Sequence, residues 1–198
     1  MTGQDVKFLL RETLRNPQVA ARRIIALDLP PQVGWLGLAL VAVLALIMLR
    51  LTLLAFGAGS DLNSAGALMR HPVWGVVAQA GFILLTAACM TFAGRPFGGR
   101  GRFPDALLLV VWLQFVLVLV GLVQFLTLLV LPPLGGLIAL LSIPLFLWLL
   151  VNLAAALHGF VNPLLVLLGL IVTFFLTAIV VAVLLSLAGI DPQILAPD

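Results

Sequence analysis

The sequence predicts an all-α integral membrane protein, with five transmembrane helices preceded by an amphipathic N-terminal arm. Of 198 residues, 64% are hydrophobic and only 9% are charged, whereas a soluble domain is about a quarter charged. Ten basic and seven acidic residues could not cover a soluble surface of this size, which excludes a soluble enzyme, a nucleic-acid reader and a disordered chain. Apolar segments of about 20 residues, enough to cross the ~30 Å hydrocarbon core, recur along the chain. None alternates like a transmembrane β-strand, so a helical bundle is predicted.

The first predicted element is a cytoplasmic amphipathic arm over residues 1–31. Residues 4–28 form two short helices that break at Asn16 and Pro17, the second helix having Pro17 at its first position and Asn16 as N-cap. The apolar positions share one side of each helix: Val6, Leu9, Leu10, Thr13 and Leu14, then Ala20, Ile24 and Leu27. The cations point away from it: Lys7, Arg11, Arg15, Arg22 and Arg23. This pattern is typical of a helix that lies in the headgroup plane beside anionic lipid. Two alternatives stay open: a docking surface for a partner protein, or an arm that only sets the topology of the chain.

A five-span bundle is predicted over residues 32–189, followed by an outer tail over residues 190–198. The predicted spans are residues 33–56, 73–93, 106–131, 134–157 and 164–188. Their short connections require consecutive spans to be antiparallel neighbours. The sequence around Pro132 and Pro133, with Gly135 and Gly136 following, leaves a re-entrant hairpin open as an alternative to two full spans.

Basic residues predict the orientation of the bundle. Five spans would place eight of them on one side: Lys7, Arg11, Arg15, Arg22, Arg23, Arg95, Arg100 and Arg102. The other side would hold Arg70 and the nearby Arg50 with Asp61, Asp191 and Asp198. The positive-inside rule then predicts a bacterial inner-membrane protein with its N-terminus in the cytoplasm and its C-terminus in the periplasm. Some thirty residues precede the first span, so we expect that span to be an uncleaved anchor.

Polar side chains inside the spans predict helix contacts. Gln114, Gly121 and Gln124 share one face of span three, and Asn152 of span four lies in the same membrane half as Gln114, where the two amides could pair. In span five a stripe of small residues permits close helix packing: Gly169, Thr173 and Thr177. A polar pathway for a small solute is the alternative, but the only charged residue within a predicted span is Arg50, near its outer end.

Neither His158 nor the loop between spans two and three predicts chemistry. His158 has no carboxylate or nucleophile beside it in the sequence, so we expect an interfacial histidine and neither a catalytic nor a metal site. The loop from Gly94 to Arg102 is rich in Gly and Arg but lacks the Lys-Ser/Thr of a phosphate-binding P-loop. We expect a flexible cationic turn, with Asp105 at the start of span three; an RNA-binding segment of the RGG type is the alternative.

Two stretches resemble a known family. Gly-Arg-x-Phe-Gly-Gly-x-Gly-x-Phe-x-Asp-Ala-Leu, from Gly94 to Leu107, runs into Trp112-Leu113-Gln114-Phe115. With Ala155-Ala156-Leu157-His158-Gly159-Phe160 and the Asn-Pro of the arm, it resembles bacterial members of the Yip (Ypt-interacting protein) family over residues 5–188. The resemblance implies five spans and a cytoplasmic N-terminus. Eukaryotic relatives associate with Rab-type GTPases in vesicle traffic, and their cytoplasmic N-terminal region is longer than this arm.

The functional prediction is a non-enzymatic scaffold, assembly factor or accessory subunit without a cofactor. Its expected partners are membrane lipids, anionic headgroups included, and other membrane proteins or further copies of itself, but no nucleic acid. The alternative is a small-solute transporter or channel that uses Gln114, Gln124 and Asn152. A membrane enzyme ranks third, because the spans hold no carboxylate.

Overall fold

The computed structural model describes residues 3–56, 72–95, 98–160 and 163–187. The predicted outer residues Asp61 and Arg70, and the tail over residues 190–198, lie outside this part of the chain, as does the side chain of Thr177. Throughout the described residues the regular structure is helical.

Two short helices form the arm, α1 (Gly3–Arg15) and α2 (Pro17–Ala26). Pro17 opens α2, because its missing N–H would have no partner at a first helical position anyway. Asn16 is the N-cap by position only: its backbone carbonyl accepts the N–H groups of Val19 (3.0 Å) and Ala20 (3.2 Å), while its side chain makes no capping hydrogen bond. The break predicted at this dipeptide is therefore a turn between two consecutive helices.

Five long helices follow: α3 (Pro31–Phe56), α4 (Pro72–Ala93), α5 (Phe103–Val130), α6 (Pro132–His158) and α7 (Pro163–Leu187). Within the described residues, α3 to α6 are long and apolar enough to cross a membrane. The helix α5 begins at Phe103, ahead of the predicted Ala106, because Pro104 and Asp105 suit a first turn. The two helices α5 and α6 meet at Leu131 as two full-length helices, without the re-entrant hairpin, and α6 stays helical through Pro144.

The helix α5 is the centre of the bundle. It packs against α3, α4 and α6, while α7 packs against α4 and α6, and α2 lies on α5 and α6. Gly34 and Gly37 let α3 approach α5 closely: a Cβ built at Gly37 would lie 2.7 Å from Val111 Cγ1. We use "arm end" for the end of the bundle where α3 and α5 start and α4 and α6 finish, and "far end" for the opposite end.

The core is concentrated at the arm end. In α5 the buried residues run from Ala106 to Val116, and in α6 they run, apart from Gly135, from Leu149 to His158. Toward the far end large apolar side chains are exposed on both helices, with Val130 77% and Leu140 65% exposed. The fold therefore consists of a well-packed arm end and a far end whose apolar surface faces outward.

Candidate functional site

His158 is the centre of a buried junction at the arm end. It is the last residue of α6, which ends at Gly159 in the left-handed conformation (φ 74°), a frequent helix ending because glycine has no Cβ to clash. The backbone N–H of Gly101 donates to His158 Nδ1 (3.2 Å), and His158 Nε2 lies 2.9 Å from Met90 O. Since Nδ1 accepts, the proton must be on Nε2, and the neutral ring donates it to the carbonyl of Met90.

Three glycines of the loop between α4 and α5 enclose the imidazole ring. A Cβ at Gly94 or Gly99 would collide with the ring, and one at Gly101 would lie 2.7 Å from His158 Cε1 and 2.8 Å from Leu157 Cγ. Phe160 stacks on the ring with centroids 5.5 Å apart. We name Met90, Gly94, Gly99, Gly101, His158 and Phe160 the histidine junction. Because both ring nitrogens are engaged, this junction ties α4, the loop and α6 together.

A second set of contacts fixes the arm to the bundle. Trp112 Nε1–H of α5 donates to Thr13 Oγ1 (2.9 Å), and Thr13 Oγ1–H donates to Leu9 O (2.7 Å), so this fully buried threonine is satisfied as acceptor and donor. Gln18 Nε2–H of α2 donates to Asn152 Oδ1 of α6 (3.1 Å), and Asn152 Nδ2–H donates to Trp148 O (2.8 Å). We name Thr13, Gln18, Trp112 and Asn152 the arm junction.

The arm junction changes the expected environment of the arm. Leu9, Thr13, Ala20, Ala21 and Ile24 are buried, so the apolar side of the arm faces the bundle and not the acyl chains. The prediction that Leu14 and Leu27 share this side is wrong, because they are 53% and 45% exposed.

All eight cations predicted to contact lipid or a partner are exposed. Four of them also contact a nearby side chain. Arg23 forms an ion pair with Glu12 (Nε–Oε2 3.1 Å), outside hydrogen-bonding alignment, and lies 5.0 Å from the ring centroid of Phe8. Arg102 donates to Asp105 (2.9 Å), and this hydrogen bond raises the pKa of the Arg102 guanidinium. Further contacts join Arg22 to Gln18 (3.3 Å) and Arg95 to the face of Phe92 (4.7 Å).

The intramembrane polar residues do not come together as one group. Gln114 is buried, with 6% of its surface exposed. Asn152 accepts a hydrogen bond from Gln18. The predicted hydrogen bond between Gln114 and Asn152 is not among those that join described residues. Gln124 and Gly121 line a cleft of about 270 Å³ between α5 and α6, together with Ser142. A Cβ at Gly121 would meet nothing within 4 Å, so Gly121 is not at a close helix contact.

In α7 the small-residue stripe is described in part. Gly169 is buried and Thr173 is half-buried. The helix contacts α4 and α6, where Val166 is buried with 7% of its surface exposed.

Sequence reasoning missed the partners in both junctions. Nothing in the local sequence links His158 to a loop 57 residues away, or Gln18 to a residue 134 positions later. The one available signal was the glycine content of the loop, since repeated glycines can mark a close approach to another part of the chain. Among the described residues, no cluster of three His, Cys, Asp or Glu side chains could hold a metal ion.

Comparison with known proteins gives one match. The family model described as the Yip1 domain matches residues 11–185, a range that includes every residue of both junctions but not the start of the arm. No curated protein and no solved structure matches the sequence.

Proposed function

Because this chain belongs to the Yip1 domain family, we propose that it is a non-enzymatic, five-span bacterial inner-membrane protein that binds other membrane proteins as a scaffold, assembly factor or accessory subunit. The family and the apolar helices make it a membrane protein. The partner-binding role is our inference from how the surface of the bundle is divided.

One observation carries this proposal: the two ends of the bundle differ in packing. Polar contacts and a buried core hold the arm end together, whereas the far halves of α5 and α6 have a surface of exposed large apolar side chains. In a bilayer such a surface can pack against lipid or against a partner helix, and small residues such as Gly136, which has open space around it, permit close approach. A rigid arm end with an apolar far surface suits a protein that holds partners in place.

The proposed topology has the arm end in the cytoplasm. All eight cations outside the apolar helices and within the described residues lie at that end, as the positive-inside rule requires of the cytoplasmic side. With α7 as the fifth span, the C-terminus is periplasmic. The absence of carboxylates from α3, α4, α6 and α7 supports a binding role over an enzymatic one.

A photo-cross-linking experiment tests the partner-binding role. A photoreactive amino acid replaces Leu140, which is 65% exposed at the far end, or Leu36, which is 71% exposed on α3. We expect a protein adduct from position 140, containing a membrane protein that also co-purifies in mild detergent, and only lipid adducts from position 36. Lipid adducts alone at both positions, together with a chain that purifies without companions, would rule out the scaffold.

A small-solute transporter is the second candidate, because of the cleft between α5 and α6. Gln124 of α5 and Ser142 of α6 both line this cleft. Asn152 is hydrogen-bonded to Gln18 of the arm. Reconstitution in liposomes separates the two functions. A solute flux that disappears when Gln114, Gln124 and Asn152 are all replaced by Leu would favour transport, and a flux unchanged by this substitution would exclude this pathway.

A further inference from the structure

The outward face of α1 combines cations with exposed apolar side chains. Although the opposite side of the helix is buried, Phe8 and Leu14 are 52% and 53% exposed. At about 100° per residue, they flank a row of three cations within an arc of about 120°. In order around the helix, this outward face consists of Leu14, Lys7, Arg11, Gln4, Arg15 and Phe8. A row of cations with a large apolar side chain at each edge is typical of interfacial helices.

The lengths of α5 and α6 fix the depth of this face in a bilayer. With 28 and 27 residues, they are about 42 and 40 Å long at 1.5 Å per residue, which exceeds the ~30 Å hydrocarbon core. Residues 106–157 contain no Asp, Glu, Lys or Arg. The connection at Leu131 therefore has no charged side chain that would require it to extend beyond the hydrocarbon core into water. The part of α5 and α6 that exceeds the thickness of the hydrocarbon core therefore lies at the arm end.

Counting from the far end gives the position of the arm-end boundary. The hydrocarbon core takes about 20 residues of a helix, so a span that starts at Val130 leaves the core near Val111, and one that starts at Pro132 leaves it near Val151. These positions adjoin Trp112 and Asn152, the residues to which α1 and α2 are hydrogen-bonded. The arm consequently lies at the boundary between hydrocarbon and headgroups.

We propose that the outward face of α1 is a binding surface for anionic phospholipid headgroups of the cytoplasmic leaflet. Lys7, Arg11 and Arg15 contact the lipid phosphates, for which ammonium and guanidinium groups are both suited. Phe8 and Leu14 enter the adjoining acyl boundary, as apolar side chains of interfacial helices do. The nearby carboxylate of Glu12 is paired with Arg23, and Asp5 is the other acidic residue of α1. The charge balance of α1 and α2 together remains positive.

A lipid-selectivity measurement tests this surface on the full chain. In a Cys89→Ala background, Leu14→Cys carries a fluorophore, and the protein is placed in nanodiscs of phosphatidylcholine and phosphatidylglycerol. A trace of either lipid carries a spin label near the glycerol backbone, so that quenching reports the local concentration of that lipid. We expect labelled phosphatidylglycerol to be at least fivefold enriched over labelled phosphatidylcholine, since one cation at an anionic surface is worth about fivefold. High salt should reduce this enrichment.

Two triple variants with the same loss of charge make the test specific. Replacing Lys7, Arg11 and Arg15 with Gln should bring the enrichment near one while quenching by phosphatidylcholine persists. Replacing Arg95, Arg100 and Arg102 with Gln should leave the enrichment intact. Equal quenching by both lipids in the unsubstituted chain would overturn the lipid selectivity, and no quenching by either would overturn the depth of the arm. Since only purified protein and synthetic lipid are used, the result does not depend on the scaffold role.

Discussion

At the residue scale, the clearest feature is a histidine whose two nitrogens play opposite roles. His158 accepts a hydrogen bond from the Gly101 N–H at Nδ1 and donates from Nε2 to Met90 O. Losing the ring would leave a backbone donor and a backbone acceptor without these partners, and an unsatisfied buried group costs about 1–3 kcal/mol. The cost also depends on the glycines, since only a residue without a Cβ fits against the ring.

The first prediction concerns Gly99. A Cβ there would collide with His158 and also lie 2.7 Å from the backbone oxygen of Gly94, so moving a side chain cannot relieve the overlap. We expect Gly99→Ala to destabilise the chain by about 1–3 kcal/mol, measured as a lower unfolding temperature in detergent. Gly121→Ala is the matched control, because its Cβ meets nothing within 4 Å. Equal unfolding temperatures for the two variants would contradict the close packing.

The second prediction concerns His158 itself. His158→Ala should release the loop between α4 and α5, and limited trypsin digestion should cleave faster after Arg100 and Arg102, by about tenfold if about 1.4 kcal/mol of loop stability is lost. His158→Gln, which can still donate to Met90 O, should give an intermediate rate. Cleavage after Arg15 serves as the internal control. Identical digestion of all three proteins would mean that His158 does not hold the loop.

At the element scale, the arm is held by its neighbours more than by its own helix propensity. Helices as short as α1 and α2, with 13 and 10 residues, are marginal in isolation. The buried side of α2 rests on α5 and α6, and α1 packs on α2. Two inter-element hydrogen bonds fix the register: Trp112 to Thr13 and Gln18 to Asn152. Each such bond contributes about 0.5–1.5 kcal/mol net.

A cross-linking prediction tests the docking of the arm. In a Cys89→Ala background, Gln18→Cys and Asn152→Cys should be joined efficiently by a short thiol-reactive cross-linker such as a bis-methanethiosulfonate, because Gln18 Nε2 and Asn152 Oδ1 are 3.1 Å apart. Arg23→Cys with Asn152→Cys is the control, since Arg23 is exposed and lies over Phe8 of α1. Equal yields from the two pairs would show that the arm does not dock in this register.

At the scale of the whole molecule, the two halves of the bundle differ in packing. The arm end contains most of the buried core and both junctions, whereas the far end exposes Val130 and Leu140. This division follows from the solvent, because lipid provides no hydrophobic driving force for burying apolar side chains. Helices pack tightly where small residues and polar contacts stabilise their association. We therefore expect the arm end to resist local opening longer than the far end.

A topology prediction belongs to this scale. If α7 is the fifth span, alkaline phosphatase fused to the C-terminus should be active, since it folds only in the periplasm, and the same fusion after Arg100 should be inactive. Fluorescent-protein fusions at the two positions should give the opposite pattern. Activity after Arg100 would reverse the proposed orientation. An inactive C-terminal fusion, with the loop still cytoplasmic, would indicate an even number of spans.

Much of the fold could be predicted because its signal is local. Apolar runs of about 20 residues predicted five spans, and four of these are helices that can cross a membrane among the described residues. Pro17 predicted the break between the arm helices. The family resemblance is confirmed by the match over residues 11–185. The pairing of Gln114 with Asn152 could not be judged in this way, because an amide bonds to whichever polar group packing brings near it, and here that group is Gln18.

The sequence by itself determined that this protein belongs in a membrane and that most of its basic residues lie outside the apolar segments. Both follow from composition and residue order alone, since the seventeen charged side chains among 198 residues must reach water. Only the tertiary structure decided which side of the arm faces the bundle, and that a glycine loop encloses His158. These depend on residues far apart in the chain coming within hydrogen-bonding distance, which packing sets and local sequence does not specify.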